Sequence, residues 1–220
     1  MASRIGVITF PGTCDDRDAL RAVELCGGEP VALWHKDDDL RGADGVFLPG
    51  GFSFGDYLRC GAIASLSPVM AAVRRFAAEG GPVLGVCNGF QMLCETGLLP
   101  GVLRGNHHGR FNCLEPELVV ERPSPWTGNR AAGATLRIPI KHGEGAWYVP
   151  DAEAERLAGA GQVLLRYREN PNGATAGVAG VCNEAGNVFG LMPHPEHAVD
   201  PLTGSTDGLS VFRSLERFAA

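Results

Sequence analysis

Residues 82–89 read PVLGVCNG, an uncharged apolar run that ends in a cysteine with a glycine on either side. The run is short and uninterrupted, which is typical of a strand buried on both faces of a parallel sheet. A helical pattern over 88–97 follows directly. The sequence therefore predicts a tight strand-to-helix turn that presents Cys87 at the end of a central strand. This is a cysteine version of the G-x-S-x-G nucleophile elbow, in which bulkier residues at Gly85 or Gly89 would clash.

The rest of the N-terminal half repeats this alternation of apolar runs and amphipathic patterns. The predicted strands are 4–10, 30–35, 44–49 and 82–87, and the predicted helices are 15–28, 68–80 and 88–97. Strands that are apolar on both faces and alternate with helices indicate a mostly parallel sheet with helices on both sides.

The C-terminal half has few helical patterns and five strand candidates, at 117–121, 135–140, 163–168, 177–182 and 188–191. This indicates a mixed or antiparallel extension of the sheet. A closing amphipathic helix is predicted over 207–220, with apolar Leu209, Val211, Phe212, Leu215 and Phe218. No repeat or low-complexity linker separates the halves, so we expect one three-layer α/β domain over residues 1–220.

Composition excludes several classes of protein. The chain has 220 residues, 45% hydrophobic and 20% charged, which excludes intrinsic disorder. Its 31 glycines and 15 prolines exclude a long coiled coil. A net charge of −6 argues against nucleic-acid binding, and no apolar run is long enough to span a membrane. Seven cysteines without a C-x-x-C pair, and no signal-peptide pattern, predict a reducing, cytoplasmic location.

A cysteine nucleophile needs a base and a group that orients the base. Residues 192–196 read MPHPE and follow the strand candidate 188–191. Pro195 favours an extended conformation at His194, and side chains two residues apart in an extended chain point the same way. We therefore expect Glu196 to hydrogen-bond His194 at the same edge of the sheet as Cys87.

Two backbone amides are candidates for stabilising an oxyanion. One belongs to Gly51, in the Gly50-Gly51 pair that ends the strand candidate 44–49, and the other to Asn88. A plain turn explains the Gly-Gly pair equally well, so both interpretations stay open.

The remaining cysteines and histidines give weaker signals. Free cysteines are commonly small buried hydrophobes, which is how we interpret Cys26, Cys94 and Cys182. His142 is either a structural histidine or a residue that supports the site or contacts a partner. His107, His108 and Cys113 lack zinc-ligand spacing, so we expect no metal site. No P-loop and no G-x-G-x-x-G occurs, so the chain has no nucleotide motif of its own.

Three stretches resemble the signatures of class I (triad) glutamine amidotransferases: LPGG at 48–51, GVCNGFQ at 85–91 and PHPE at 193–196. Longer stretches resemble one branch of this family, the glutaminase subunits that serve purine synthesis: FPG at 10–12, GFSFGDYLRCGA at 51–62, HGEG at 142–145 and YRENPNG at 167–173. Together they cover nearly the whole chain. One departure is TCDD at 13–16, where the branch usually has Ser/Thr-Asn-Cys-Asp, so no role is assigned to Cys14.

The resemblance implies a class I amidotransferase, flavodoxin-like fold and a reaction. Cys87 would attack the carboxamide of L-glutamine, His194 would transfer protons, and Glu196 would orient His194. The site would be completed by the oxyanion donors Gly51 and Asn88 and by Gln91, which lines the glutamine pocket.

The resemblance also implies partners, and no cofactor bound by this chain. The ammonia would pass to a large synthetase subunit that uses ATP and Mg²⁺ to convert formylglycinamide ribonucleotide to formylglycinamidine ribonucleotide, with a small bridging subunit. Three alternatives stay open. They are an amidotransferase that serves a different synthetase, an elbow-cysteine hydrolase or stress-response protein of related fold, and a binding module with a vestigial triad.

Overall fold

The computed structural model describes residues 2–219, with side chains described as far as Leu215. The expectations for Met1, for the Phe218 side chain and for Ala220 lie outside these described residues. Thirteen β-strands occur within the described range: β1 Arg4–Thr9, β2 Glu29–Trp34, β3 Gly45–Leu48, β4 Val83–Val86, β5 Val102–Arg104, β6 Asn112–Leu114, β7 Glu117–Val120, β8 Thr135–Arg137, β9 Ile140–His142, β10 Ala146–Tyr148, β11 Val163–Tyr167, β12 Val178–Cys182 and β13 Val188–Leu191. The α-helices in that range are α1 Asp16–Cys26, α2 Pro68–Ala78, α3 Asn88–Glu95, α4 Asp151–Gly159 and α5 Leu209–Ala219.

Nine of these strands form one sheet in the order β2-β1-β3-β4-β13-β12-β11-β7-β8. The first five strands of this order are parallel to one another. The pairings from β13 through β12, β11 and β7 to β8 are antiparallel. The predicted architecture, a parallel sheet with an antiparallel extension and flanking helices, is confirmed. Two small sheets, β10–β5 and β6–β9, lie outside it.

Helices cover both faces of the parallel half. The ring of Phe47 in β3 packs edge-on against Phe212 of α5, with centroids 5.3 Å apart. The next residue, Leu48, lies against Gly89 of α3. Because successive side chains of a strand point to opposite faces, α5 and α3 lie on opposite sides of the sheet. This gives the three layers that the sequence predicts.

The predicted strand 135–140 differs from the structure, which divides it into β8 and β9. Pro139 lies between them, and proline has no N–H to donate to a strand ladder. Its carbonyl oxygen instead accepts the His194 N–H at 2.8 Å. The strands β5, β6 and β10 and the helix α4 have no predicted counterpart. The three strands have only three residues each, which is too short for a clear alternation of apolar and polar residues. The helix α4 buries only Ala154 and Leu157, so its hydrophobic periodicity is weak.

Four parallel strands end at the same edge of the sheet, because β1, β3, β4 and β13 run in one direction. The loops that follow them begin at residues 10, 49, 87 and 192. Ligands of open α/β sheets bind at this edge. Within residues 2–219 we find no helix with the length and apolarity that crossing a membrane requires.

Candidate active site

Cys87 connects β4 to α3 in a conformation that residues with a side chain rarely adopt. Its φ is 51° and its ψ is −107°. The Cys87 N–H donates to the carbonyl oxygen of Leu191 at 2.9 Å, and the Cys87 carbonyl accepts from the Gln91 N–H at 3.0 Å. The strained residue is thus held between the neighbouring strand β13 and the first turn of α3.

The two glycines that flank this turn are sterically required. A β-carbon on Gly85 would lie 2.5 Å from a methyl carbon of Leu93 and 2.8 Å from the carbonyl oxygen of Gly89. A β-carbon on Gly89 would overlap the carbonyl group of Leu48. The prediction that a side chain at either position would clash is confirmed.

His194 and Glu196 form a buried pair, with His194 Nδ1 and Glu196 Oε1 2.5 Å apart. The expected route to this contact was an extended chain, and that part of the prediction is wrong. The backbone instead turns through one 3₁₀ turn over Pro195–His197. Because Nδ1 faces Glu196, the second ring nitrogen, Nε2, is left for other partners. It is buried and has no hydrogen-bond partner among the described residues.

The charges around His194 favour its protonated form. Burial lowers the pKa of the imidazole, but the negative charges of Glu196 and of a Cys87 thiolate outweigh burial and raise the pKa to about 10. An imidazolium beside a thiolate is the arrangement in which a cysteine nucleophile is charged and a proton donor stands ready.

Two adjoining cavities meet at Cys87. The first has a volume of about 140 Å³ and is lined by Cys14, Asp15, Gly51, Phe52, Cys87, Phe111, Cys113, Lys141 and His194. The second has a volume of about 180 Å³ and is lined by Gly51, Phe52, Asp56, Cys60, Cys87, Gln91, Phe111, Lys141, His142, Gly143 and Glu144. Among the residues predicted from the sequence, the structure brings Cys87, Gly51 and His194 to the first cavity, and Cys87, Gly51 and Gln91 to the second.

The two candidate oxyanion donors also lie beside Cys87. Gly51 adopts a φ of 150°, and the hydrogen bonds around it use the Phe52 N–H and the Gly50 carbonyl. The Gly51 N–H takes part in none of these backbone hydrogen bonds. The Asn88 N–H belongs to the first turn of α3, where backbone amides have no acceptor within their own helix. The assignment of the Gly51 and Asn88 amides as oxyanion donors stays a prediction.

Polar side chains on α3 shape the wall of the second cavity. The Asn88 side-chain amide donates to Gln91 Oε1 at 2.7 Å, and Asn88 Oδ1 accepts from the Ser53 N–H at 3.1 Å. Gln91 Nε2 donates to the Glu144 carbonyl at 2.7 Å. Gln91 thus lines the cavity as expected, but its own amide is used inside the protein to hold the segment that contains Glu144.

Three further residues at this site were missed by the sequence reasoning. Asp15 Oδ1 accepts from Lys141 Nζ at 2.8 Å and lies 3.1 Å from His197 Nε2. Asp15 Oδ2 lies 3.6 Å from Nδ1 of His194. Asp15 lies in the loop that follows β1, so the position of that loop at the carboxyl end of a parallel strand is a sequence signal for Asp15. No local signal pointed to Lys141, whose own carbonyl oxygen lies 3.6 Å from the Cys87 sulfur.

The charges in this cluster support one another. Burial raises the pKa of Asp15, but the bond with His197, the charge of His194 and the bond with Lys141 outweigh burial and hold it well below its usual range. Burial lowers the pKa of Lys141, yet the bond with Asp15 and the nearby negative charges raise it overall. Asp15 and Lys141 are therefore both charged at neutral pH.

The same cluster resembles a metal site in its ligand types. Ligand atoms of Asp15, His194, Glu196 and His197 all lie within 4.8 Å of one another. The Lys141 ammonium, however, lies 2.8 Å from Asp15 Oδ1 and 2.9 Å from His197 Nε2, and so supplies the positive charge there. The expectation that the chain holds no metal stays a prediction.

His142 is buried behind the second cavity, and its tautomer follows from its partner. The side-chain amide nitrogen of Asn106 donates to the carbonyl oxygens of Arg110 and His142, so Asn106 Oδ1 is an acceptor. His142 Nδ1 lies 3.0 Å from that oxygen and therefore carries the hydrogen. Burial lowers the pKa of His142 to about 4, so the ring is neutral at pH 7. These contacts give His142 a structural role.

Comparison with known proteins defines the class to which this fold and site belong. The sequence profile of the CobB/CobQ-like glutamine amidotransferase domain matches residues 2–213. The chain belongs to the glutamine amidotransferase family, and the resemblance noted from its three short motifs is confirmed.

Individual relatives identify the branch. The chain is 57% identical to "Phosphoribosylformylglycinamidine synthase subunit PurQ" of Leifsonia xyli subsp. xyli, over 97% of both chains. It is 57% identical to the protein of the same name from Rubrobacter xylanophilus, over 96% of this chain and 97% of the relative. A chain in the structure of PurLQS from Thermotoga maritima superposes with a TM-score of 0.92, at 42% identity and full coverage of both chains. Within the glutamine amidotransferases, this chain belongs to the PurQ branch.

Proposed function

We propose that residues 1–220 form a single amidotransferase domain that is the glutaminase subunit of a phosphoribosylformylglycinamidine synthase. The observation that carries this proposal is that Cys87 and His194 line the same cavity, with Glu196 buried against Nδ1 of His194. The proposed reaction is the hydrolysis of L-glutamine to glutamate and ammonia through a thioester.

In the first half-reaction, the Cys87 thiolate attacks the carboxamide carbon of glutamine. The carbonyl oxygen becomes an oxyanion, to which the amides of Gly51 and Asn88 donate. Removing one such donor from an enzyme typically costs about 3 kcal/mol in barrier. The His194 imidazolium then protonates the departing nitrogen, the carbon–nitrogen bond breaks, and ammonia leaves the γ-glutamyl thioester.

In the second half-reaction, His194 is neutral and accepts a proton from water, whose oxygen attacks the thioester carbon. The carbon–sulfur bond breaks, glutamate leaves, and the thiolate and the imidazolium are restored. Glu196 keeps Nδ1 protonated throughout, so Nε2 is the nitrogen that transfers the proton in both steps.

The second cavity suits the amino-acid end of the substrate. Its lining includes the carboxyl groups of Asp56 and Glu144. Burial, together with the charges of Asp56 and Glu144, raises the pKa of the Cys60 thiol beside them. The carboxyl groups of Asp56 and Glu144 place negative charge on the wall of this cavity, which favours a ligand with a positive charge. The α-ammonium group of L-glutamine supplies that charge.

The proposed partners are a large synthetase subunit of the PurL type and a small bridging subunit of the PurS type, by analogy with the PurLQS structure. In this proposal ATP and Mg²⁺ bind to the synthetase, and the glutaminase chain binds no cofactor of its own. We also propose a cytoplasmic location, with no nucleic acid or membrane as partner. An odd number of cysteines, seven, without a C-x-x-C pair suits a reducing compartment.

The experiment that tests the function measures glutamate release from L-glutamine, by this chain alone and with PurL- and PurS-type subunits, ATP, Mg²⁺ and formylglycinamide ribonucleotide. Wild type, Cys87→Ala and Cys182→Ala are compared. Cys182 is a buried cysteine on β12 that lines neither of the two cavities at Cys87, and it serves as the matched control.

We expect partner-stimulated release by wild type and Cys182→Ala, and a loss of at least about 10³-fold in Cys87→Ala. Added ammonia should still support amidine formation by the Cys87→Ala complex. Release that does not respond to these partners would assign the chain to a different synthetase. No release from wild type under any condition would overturn the proposal.

A further inference from the structure

Nδ1 of His194 faces two carboxylates rather than one. Glu196 Oε1 lies 2.5 Å away, and Asp15 Oδ2 lies 3.6 Å away. Asp15 is buried and comes from the loop after β1, 179 positions before His194 in the chain. The contact between Asp15 and the imidazole is therefore not a consequence of closeness in the sequence.

The two oxygens of Asp15 are used differently. Lys141 Nζ and His197 Nε2 both contact Oδ1, at 2.8 and 3.1 Å, and anchor the carboxylate. Oδ2 is left facing the imidazole. Gly50 makes this approach possible, because a β-carbon there would lie 2.6 Å from both Asp15 Oδ2 and His194 Cε1.

We infer that Asp15 is a positioning residue for the glutaminase reaction: anchored by Lys141 and His197, it holds the His194 imidazole against Glu196 and stabilises its protonated form. This inference rests on the proposed function. It adds a second carboxylate to the Cys87–His194–Glu196 arrangement, at a place where the sequence departs from the usual pattern of its branch.

The groups that face His194 define the expected direction of the effect. The negative groups are Glu196, Asp15 and the Cys87 thiolate, and the positive group beside them is Lys141; His142 and His197 also lie near. Removing the Asp15 charge takes away one group that favours the imidazolium, so His194 should lose its proton at lower pH. The positive charge of Lys141 partly cancels the effect of the Asp15 charge on the pKa of His194. We therefore expect a change in that pKa at the low end of the range usual for a neighbouring charge.

The test compares Asp15→Asn with wild type in the complex with PurL- and PurS-type subunits, by the pH profile of kcat/KM for glutamine. We expect the basic limb to move to lower pH by about one unit. At pH 10 we expect kcat/KM to fall about fivefold, whereas at pH 7, where the imidazole of both proteins is protonated, kcat and the KM for glutamine should stay nearly unchanged. The matched control is Asp16→Asn, which makes the same change of charge in the next residue, whose carboxylate accepts from the Thr9 hydroxyl instead. It should keep the wild-type profile.

A second arm follows His194 directly, by NMR titration of the imidazole nitrogens in the full-length chain. Its midpoint should fall in Asp15→Asn and rise in Lys141→Met, which removes the cation and keeps Asp15. This arm does not depend on glutaminase activity, so it separates failure of the inference from failure of the proposed function. A uniform loss of activity at every pH, or an unchanged His194 midpoint in both variants, would overturn the role of Asp15.

Discussion

The carbonyl oxygen of Leu48 occupies the space that a β-carbon on Gly89 would need. Leu48 ends β3, and Gly89 lies in the first turn of α3, so the contact brings the Gly50-Gly51 turn against the start of the nucleophile helix. The two candidate oxyanion donors, Gly51 and Asn88, each lie within three residues of this contact. Close packing between two backbones thus sets their spacing.

Gly89→Ala should therefore destabilise the protein and disturb the oxyanion site together. The methyl group would force the Leu48 carbonyl and α3 apart, and overpacking of this kind costs about 1–3 kcal/mol. Chemical denaturation measures the loss. Gly105→Ala is the control, since a β-carbon there meets nothing within 4 Å, and its change should stay within about 0.5 kcal/mol. Equal stability of the two variants would show that the Leu48 contact relaxes freely.

Glu196→Gln should lower kcat for glutamine hydrolysis by about 10²- to 10⁴-fold, with a small change in KM. Glutamine at this position carries no charge to stabilise the imidazolium, and its amide group can present a donor to Nδ1. Steady-state glutamate release gives both constants. Glu117→Gln, which breaks an exposed pair with Arg168, is the control and should leave both constants unchanged. Near-normal turnover by Glu196→Gln would exclude an orienting role for Glu196.

The protonation of His194 should depend on Cys87. The thiolate is one of the negative charges that raise the pKa of His194 to about 10, so Cys87→Ala removes a stabilising charge and should lower that pKa. NMR titration of His194 should show a midpoint near 10 in wild type and one lower by at least about one unit in Cys87→Ala. Correspondingly, kcat/KM of the wild type should fall above about pH 10, where the imidazole loses the proton that ammonia release requires. A midpoint unaffected by Cys87→Ala would mean that the sulfur and the imidazole are not coupled.

The isolated chain should bind neither ATP nor Mg²⁺–ATP. It has a net charge of −6 and no phosphate-binding glycine motif, and the positive groups at its site, Lys141 and the His194 imidazolium, are already engaged by Asp15 and Glu196. Titration calorimetry should show no binding up to millimolar nucleotide, with the reconstituted complex as the positive control. Micromolar affinity of the isolated chain would contradict the assignment of nucleotide binding to the synthetase.

Much of the site could be predicted from sequence, because its main parts are short-range. A buried strand, two glycines and a following helix are sufficient to specify the turn at Cys87. His194 and Glu196 are two residues apart, so any tight conformation of that segment brings them together. The alternation of strands and helices likewise predicted the parallel half of the sheet. The predicted strand 135–140 was wrong because Pro139 divides it into β8 and β9. The carbonyl oxygen of Pro139 accepts the His194 N–H instead of joining the sheet.

Sequence by itself determined the candidate nucleophile Cys87, its candidate base His194 and the edge of the sheet at which they meet, since each depends on residues adjacent in the chain. Only the tertiary structure decided that Asp15, Lys141 and His197 complete the site. Asp15 is separated from Lys141 by 126 positions and from His197 by 182. Their meeting depends on the strand order β1-β3-β4-β13 and on the turn at Pro139, which hydrophobic periodicity does not encode. The contact between the Asp15 carboxylate and the His194 imidazole is therefore a product of topology.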